Sequence, residues 1–195
     1  MPDVRLTPGN TSLGRYGKTT LSVAMAALIA AGASFPTLYE RFVVHEKEGN
    51  RLRAYRDGEG LWTICGGLTR IDGIRVKQGD ELTPAQCDFY NREHAAEAER
   101  EMAKRMGPRW ETLSTPAKVG IASFCWTNLG WRKCEASTFM RLWRSGAPMN
   151  DVCAQITRWI FDSGRDCRRA GSNCQGQPVR RMQEDELCLI PKEQP

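Results

Sequence analysis

The chain has 195 residues and a mass of 21.9 kDa, which suits one ordinary domain with an appendage of roughly 40 residues. Apolar residues at 41%, charged residues at 26%, 18 Gly and 10 Pro exclude collagen-like, low-complexity and wholly disordered chains. A net charge of +5 suits an anionic polymer such as a cell wall or a nucleic acid, and eight Cys against two His favour disulfides in an oxidising compartment over metal sites.

Residues 19–38 form a 20-residue run without a charge, preceded by Arg5, Arg15 and Lys18 and followed by Glu40. That length just suffices to cross a bilayer as a helix, and the basic flank predicts an N-in, C-out orientation. Six of the 20 residues are Ala, joined by Gly32, Ser22, Ser34, Thr19, Thr20 and Thr37, so the driving force for insertion is weak. Three readings compete: a signal peptide cleaved at Ala31-Gly32-Ala33, a weak signal anchor that later leaves the bilayer intact, and a buried core helix.

Further along, Leu38, Phe42 and Val43 predict a short amphipathic helix ending at Gly49. Residues 52–57 and 61–65 flank Gly58-Glu59-Gly60 and predict a β-hairpin. Thr83-Pro84-Ala85-Gln86 is a capping box that opens a charged helix to about Met106. Thr115-Pro116 opens another helix through Ser123 and Trp126, with further helices near 138–145, 149–161 and 178–189. A small hairpin region followed by mostly helix is an α+β pattern.

A three-residue hairpin loop at 58–60 pairs Asp57 with Leu61, which puts Asp57 and Thr63 on one face, with Glu48 entering from the preceding helix end. Two carboxylates and a hydroxyl around one cleft suit glycoside hydrolysis: one acid protonates the leaving oxygen while the other carboxylate supports water or the developing positive charge. Other motifs carry less. Gly17-Lys18-Thr19 lacks the preceding strand of a phosphate loop. His45-Glu46 lacks a second His, and Cys167 and Cys174 lack a zinc spacing. Trp126 and Trp159 at helical positions suit a core. Arg165, Arg168, Arg169, Arg180 and Arg181 suit a solvated or wall-facing surface better than nucleic acid, because an exported protein rarely meets DNA.

Glu48-Gly49, Leu52-Arg53-Ala54-Tyr55-Arg56-Asp57, Gly60 and Trp62-Thr63-Ile64 resemble the catalytic segment of the phage-type lysozymes, the endolysins or muramidases. Asn128-Leu129-Gly130, Thr157-Arg158-Trp159, and Arg180-Arg181 followed by Glu184 and Leu187-Cys188 resemble later landmarks of the same family. The resemblance implies a lysozyme-like α+β fold with a hairpin lobe and a larger helical lobe. It assigns Glu48, Asp57 and Thr63 as the catalytic triad. Glu48 is then the general acid, and Asp57 and Thr63 hold the attacking water, the inverting arrangement if the carboxyls stand roughly 6.5–9.5 Å apart. Arg180 matches the basic residue facing the catalytic Glu, where a guanidinium favours the carboxylate form. Asn128 is a substrate contact or a support of the site. Two positions depart from the family: Cys65-Gly66-Gly67-Leu68 lacks the usual His, and Thr127 stands where an aromatic is commoner.

The substrate implied is peptidoglycan, cut at the β-1,4 bond between N-acetylmuramic acid and N-acetylglucosamine, with no metal or organic cofactor and no nucleic acid. A lytic transglycosylase, or a membrane-tethered wall-binding or lysis-regulating protein without catalysis, are the alternatives. The weakly apolar N-terminal run is similar to that of signal-anchor-release endolysins. It implies residues 1–37 as basic flank and anchor, residues 38–195 as the catalytic domain, and partnership with the host export machinery. The chain would sit in the inner membrane through residues 19–38 and pass as a monomer to the periplasm. Eight Cys allow 105 complete pairings. Cys125–Cys134 and Cys167–Cys174 close short loops, and the other four are assigned as Cys65–Cys87 and Cys153–Cys188.

Overall fold

The computed structural model describes residues 20–57, 60–162 and 164–192, with the side chains of Lys47 and Glu48 left undescribed. The basic flank Arg5, Arg15 and Lys18, with Thr19, lies outside the described residues.

The long helix α3, Pro84–Met106, is the spine of the molecule. Thr83 caps it as expected: its hydroxyl accepts from Gln86 N, and the Gln86 side chain accepts from Thr83 N at 2.9 Å. The buried positions Cys87, Asn91, Ala95, Ala98, Met102 and Met106 recur every three or four residues, one continuous stripe along about 34 Å of helix. Its first part meets the hairpin lobe and the remainder enters the helical core. The sequence fixes both lobes on one rigid rod.

The hairpin lobe is built on β1 (Arg51–Arg56) and β2 (Trp62–Cys65), antiparallel, followed by the two-residue strands β3 (Arg70–Ile71) and β4 (Ile74–Arg75). Tyr55 pairs with Thr63 and Arg56 with Trp62. Ile64, Cys65, Leu68, Val76 and Cys87 make a small core under it. The Cys65–Cys87 disulfide and a hydrogen bond from Gly66 N to the Asn91 side chain (3.1 Å) fasten the end of β2 to α3.

The helical lobe holds the larger core. The residues α4 (Thr115–Ala122) and α8 (Gly176–Cys188) pack at its centre. Gly120 makes that approach possible, because a Cβ there would lie 2.7 Å from the Glu184 carbonyl oxygen and 2.8 Å from Leu187 Cβ. The helix runs on past Ala122 as a π-helical segment, Ser123–Asn128, consistent with the expected helix through Trp126. Around this pair lie α5 (Trp131–Glu135), α6 (Thr138–Arg144) and α7 (Met149–Cys153). The helix expected over 149–161 is shorter: α7 stops at Cys153 and a single 3-10 turn covers Ile156–Arg158. There the Gln155 side chain and the Thr157 hydroxyl donate to the carbonyls of Asp151 and Ala154 (3.2 and 3.0 Å), competing with the helical ladder. The residues beyond form a small hairpin, β5 (Phe161–Asp162) and β6 (Arg165–Asp166). Trp126 and Trp159 pack on the core, as their helical positions suggest.

The uncharged run is folded into this lobe. Its described part, residues 20–38, forms α1 (Val23–Ala30) and the start of α2 (Phe35–Tyr39), separated by a turn at Gly32 with φ +67°. Among the described residues no helix is long and apolar enough to cross a membrane. Met25, Phe35 and Leu38 are buried in the main core, and α2 continues as a π-helical segment, Glu40–Glu48, that stops at Gly49. The boundary expected at residue 38 therefore falls inside α2.

All eight Cys are paired, Cys65–Cys87, Cys125–Cys134, Cys153–Cys188 and Cys167–Cys174, and none is free. Cys153–Cys188 spans 35 positions and Cys167–Cys174 spans 7. On chain entropy the first stabilises by about 4 kcal/mol and the second by about 2.5 kcal/mol. Paired Cys→Ser variants measured by urea denaturation should rank in that order, with the larger loss for Cys153 and Cys188.

Candidate active site

The hairpin end assembles the first part of the site. Asp57 N donates to Leu61 O (3.0 Å), continuing the Arg56–Trp62 register by one residue and bringing Asp57 and Thr63 to the same face as expected. The Thr63 hydroxyl lies 3.3 Å from Asp57 Oδ2 and 3.2 Å from Leu61 O, while Asp57 Oδ1 accepts from Leu61 N (2.8 Å). Thr63 is 2% exposed. One carboxylate oxygen thus holds the turn and the other shares a hydroxyl with the strand. Glu48 ends the preceding helix three residues before β1 begins at Arg51, at the position the sequence assigns it. Next to it, Asn50 accepts from the Asn91 side chain (3.3 Å). Asn91 therefore ties the chain on both sides of the hairpin, Asn50 and Gly66, to one point on α3.

A second group of polar side chains lies in the helical lobe around Glu184, which is fully buried. Its carboxylate accepts from the Ser123 hydroxyl at 2.6 Å, from Asn128 Nδ2 at 3.4 Å, from Arg180 Nε at 3.4 Å, and from the Arg181 guanidinium. Arg181 is itself fully buried over the Phe124 ring, 5.2 Å from its centroid, and its Nε has no hydrogen-bond partner among the described residues. Burial holds the Arg181 guanidinium below its ordinary value, a lowering that the Glu184 charge opposes and the Arg180 charge reinforces. Arg180 and Asn128, the two supporting residues expected from the sequence, thus meet at a single carboxylate. Asn128 also donates to Ser123 O (3.0 Å), so its amide is engaged within the protein itself.

Glu184 stood in the sequence as a landmark without a role, and Ser123 carried no signal. The spacing was informative nonetheless: Glu184 follows Arg181 by three residues and Arg180 by four, two ion-pair distances on one helix. The two family departures also find an account. Leu68, where His is usual, is buried in the hairpin core. Thr127 pairs its hydroxyl with that of Tyr39 at 2.5 Å, so an aromatic from α2 fills the space beside it.

Removing one member of a buried ion pair costs about 3–5 kcal/mol, since the other charge stays buried. Glu184→Ala should therefore lower unfolding stability by that amount in urea titrations. Glu184→Gln, which retains an acceptor for Ser123, should lose less.

Comparison with known proteins agrees with this architecture. Residues 45–184 match the family model described as phage lysozyme. The chain is 47% identical to the SAR-endolysin of Escherichia phage 933W over 173 residues, 89% of this chain and 93% of that protein. It is 45% identical to a probable prophage lysozyme of Escherichia coli K12, over 91% of this chain and 96% of the relative. The crystal structure of the active form of the P1 phage endolysin Lyz superposes with a TM-score of 0.61 at 20% identity, covering 87% of this chain and 94% of that one. The chain belongs to the phage lysozyme family of glycoside hydrolases.

Proposed function

We propose that the protein is an endolysin that cleaves the β-1,4 bond between N-acetylmuramic acid and N-acetylglucosamine in peptidoglycan, with Glu48 as general acid. The Asp57–Thr63 hydrogen bond carries this reading. A carboxylate and a hydroxyl 3.3 Å apart give an attacking water two contacts on one face, a base to take its proton and an oxygen to aim it. That is the requirement of inversion, in which water rather than the carboxylate attacks the sugar. A transglycosylase uses no bound water and has no need of the pair. Arg180, held by Glu184, is the cation assigned to face Glu48, and Asn128 supports the same wall of the site.

The test is peptidoglycan lysis with product analysis. General acid catalysis is worth about 100- to 10,000-fold, so Glu48→Gln should fall to well under a tenth of wild-type lysis. Lysis by that variant at a tenth or more of the wild-type rate overturns the assignment. Products carrying a free reducing end, rather than an anhydro ring, separate hydrolysis from the transglycosylase alternative.

The finer part of the reading concerns residues 19–38 as a releasable anchor. Seven strongly apolar residues at roughly −0.3 to −0.6 kcal/mol each make insertion marginal. The polar residues that weaken it have partners in the folded protein. Thr20 donates through N (2.7 Å) and its hydroxyl (2.6 Å) to Glu186 and accepts from Gln183 Nε2 (2.6 Å). Ser22 caps α1 and donates to Glu46, two residues before Glu48. Cleavage before Ser34 would remove Met25 from the core and take the Thr20 and Ser22 donors away from Glu186 and Glu46, which favours export without cleavage. Depolarising the membrane of expressing cells should move the full-length chain into the soluble periplasmic fraction. Intact-mass analysis decides the matter, because a mature chain beginning at Ser34 means a cleaved signal peptide.

A further inference from the structure

Between Arg158 and α8 the chain makes an excursion that the catalytic reading does not use. Phe161 stands opposite Asp166 and Asp162 opposite Arg165 in the β5–β6 hairpin, and the Cys167–Cys174 disulfide closes the loop behind it. The inner side is fixed. Cys167 is buried, its N donates to Ile160 O (2.9 Å), and the buried Ser172 donates its hydroxyl to Cys167 O (3.3 Å). The rim is exposed and surrounds an open cavity of about 520 Å³, lined among others by Phe161, Arg165, Asp166 and Arg169. Gln177 N donates to Cys174 O (3.0 Å) where the loop runs into α8, the helix that carries Arg180.

The charges on this rim are unequally engaged. Asp166 is held by Arg168 through contacts of 2.6 to 3.1 Å, and the adjoining guanidinium holds its carboxyl down to about 2. Asp162 lies 3.7 Å from the Arg165 guanidinium. Arg169 makes no side-chain hydrogen bond or ion pair among the described residues. Phe161 is 58% exposed on β5, ahead of the loop that the disulfide closes. All six cations between residues 158 and 181 are Arg, and no Lys occurs from 134 to 191. Arginine's planar fork matches a carboxylate with two parallel hydrogen bonds, which a lysine point charge cannot do.

We propose that this cavity is a subsite for the peptide stems of peptidoglycan, with Arg169 and Arg165 binding stem carboxylates and the Phe161 ring covering the aliphatic part of the stem. The proposal rests on the muramidase reading, since a glycan strand in the cleft brings its anionic stems alongside. Arg169 lies in the loop closed by the disulfide, and Phe161 and Arg165 lie on the paired strands before it, so the backbone that carries them has little freedom to lose on binding and modest contacts register as affinity. Three Arg against two Asp over residues 161–174 make a small excess of one charge, scaled to a few carboxylates rather than to a membrane surface.

The experiment compares wild type with the R165A/R169A double variant on two substrates: intact sacculi, and glycan strands stripped of stems by an amidase. Exposed arginine–carboxylate contacts predict a KM about three- to tenfold higher on intact sacculi, with kcat within about twofold. The difference should shrink as salt is raised, and activity on stripped strands should not change. R169K should recover only part of the loss, and R169Q alone tests the site if the double variant does not fold. Equal losses on both substrates, or none on intact sacculi, overturn the subsite. So does an unchanged KM accompanied by loss of binding to phosphatidylglycerol vesicles, which would give the arginines to the membrane. A wild-type protein inactive on both substrates overturns the muramidase reading itself, and the subsite with it.

Discussion

Glu184 sits at zero exposure in the middle of α8, where a carboxylate is tolerated only because donors from two elements converge on it. Ser123 and Asn128 reach it from the π-helical segment, and Arg180 and Arg181 from its own helix. The desolvation cost of such a group is several kcal/mol and is offset only by a full set of partners. Much else follows from that requirement. The α4 helix must approach α8 closely enough for Ser123 to reach, which Gly120 permits. The helix must also open into a π turn, so that Ser123 and Asn128, five residues apart, both address the same carboxylate. The polar group that holds Arg180 and Asn128 is thereby set into the helical core.

The hairpin lobe is held by a different device. Its own core is only a handful of residues, too small for independent stability. The lobe borrows rigidity from α3 through the Cys65–Cys87 bond and the Asn91 side chain. These fasteners sit at the two ends of the segment carrying Asp57 and Thr63, so these two residues keep their place relative to the end of the Glu40–Glu48 helix. Precision at Asp57 and Thr63 thus comes from the first two turns of a helix that contributes no residue to the proposed chemistry.

On the proposed anchor reading, the N-terminal run answers two opposed demands with one composition. Leu21, Met25, Leu28 and Leu38 are apolar enough for a bilayer and for the helical core, and the structure shows them in or against that core. Thr20, Ser22 and Gly32 weaken a membrane helix, yet in the folded chain they supply hydrogen bonds to Glu186 and Glu46 and the turn between α1 and α2. A uniformly apolar run would lack both the turn and these contacts.

Local patterns were legible in the sequence because they depend on neighbours along the chain. The Thr83 capping box, the hairpin register that aligns Asp57 with Thr63, and the stop at Gly49 all follow from residues within a few positions of one another. Cys125–Cys134 and Cys167–Cys174 were readable from their short spacing, and the order of lysozyme motifs as a family pattern. What the sequence could not show is what depends on distant segments meeting. The break of the 19–38 run into two helices is decided by the core that receives Met25 and Phe35, and by partners 163 and 166 residues away. The role of Glu184 appears only when the π turn brings Ser123 and Asn128 over α8, since burial and the convergence of donors are properties of the packed molecule. The helix expected over 149–161 ended early for the same reason. Propensity sets where a helix starts, but competing side chains and the space left by α8 decide where it ends.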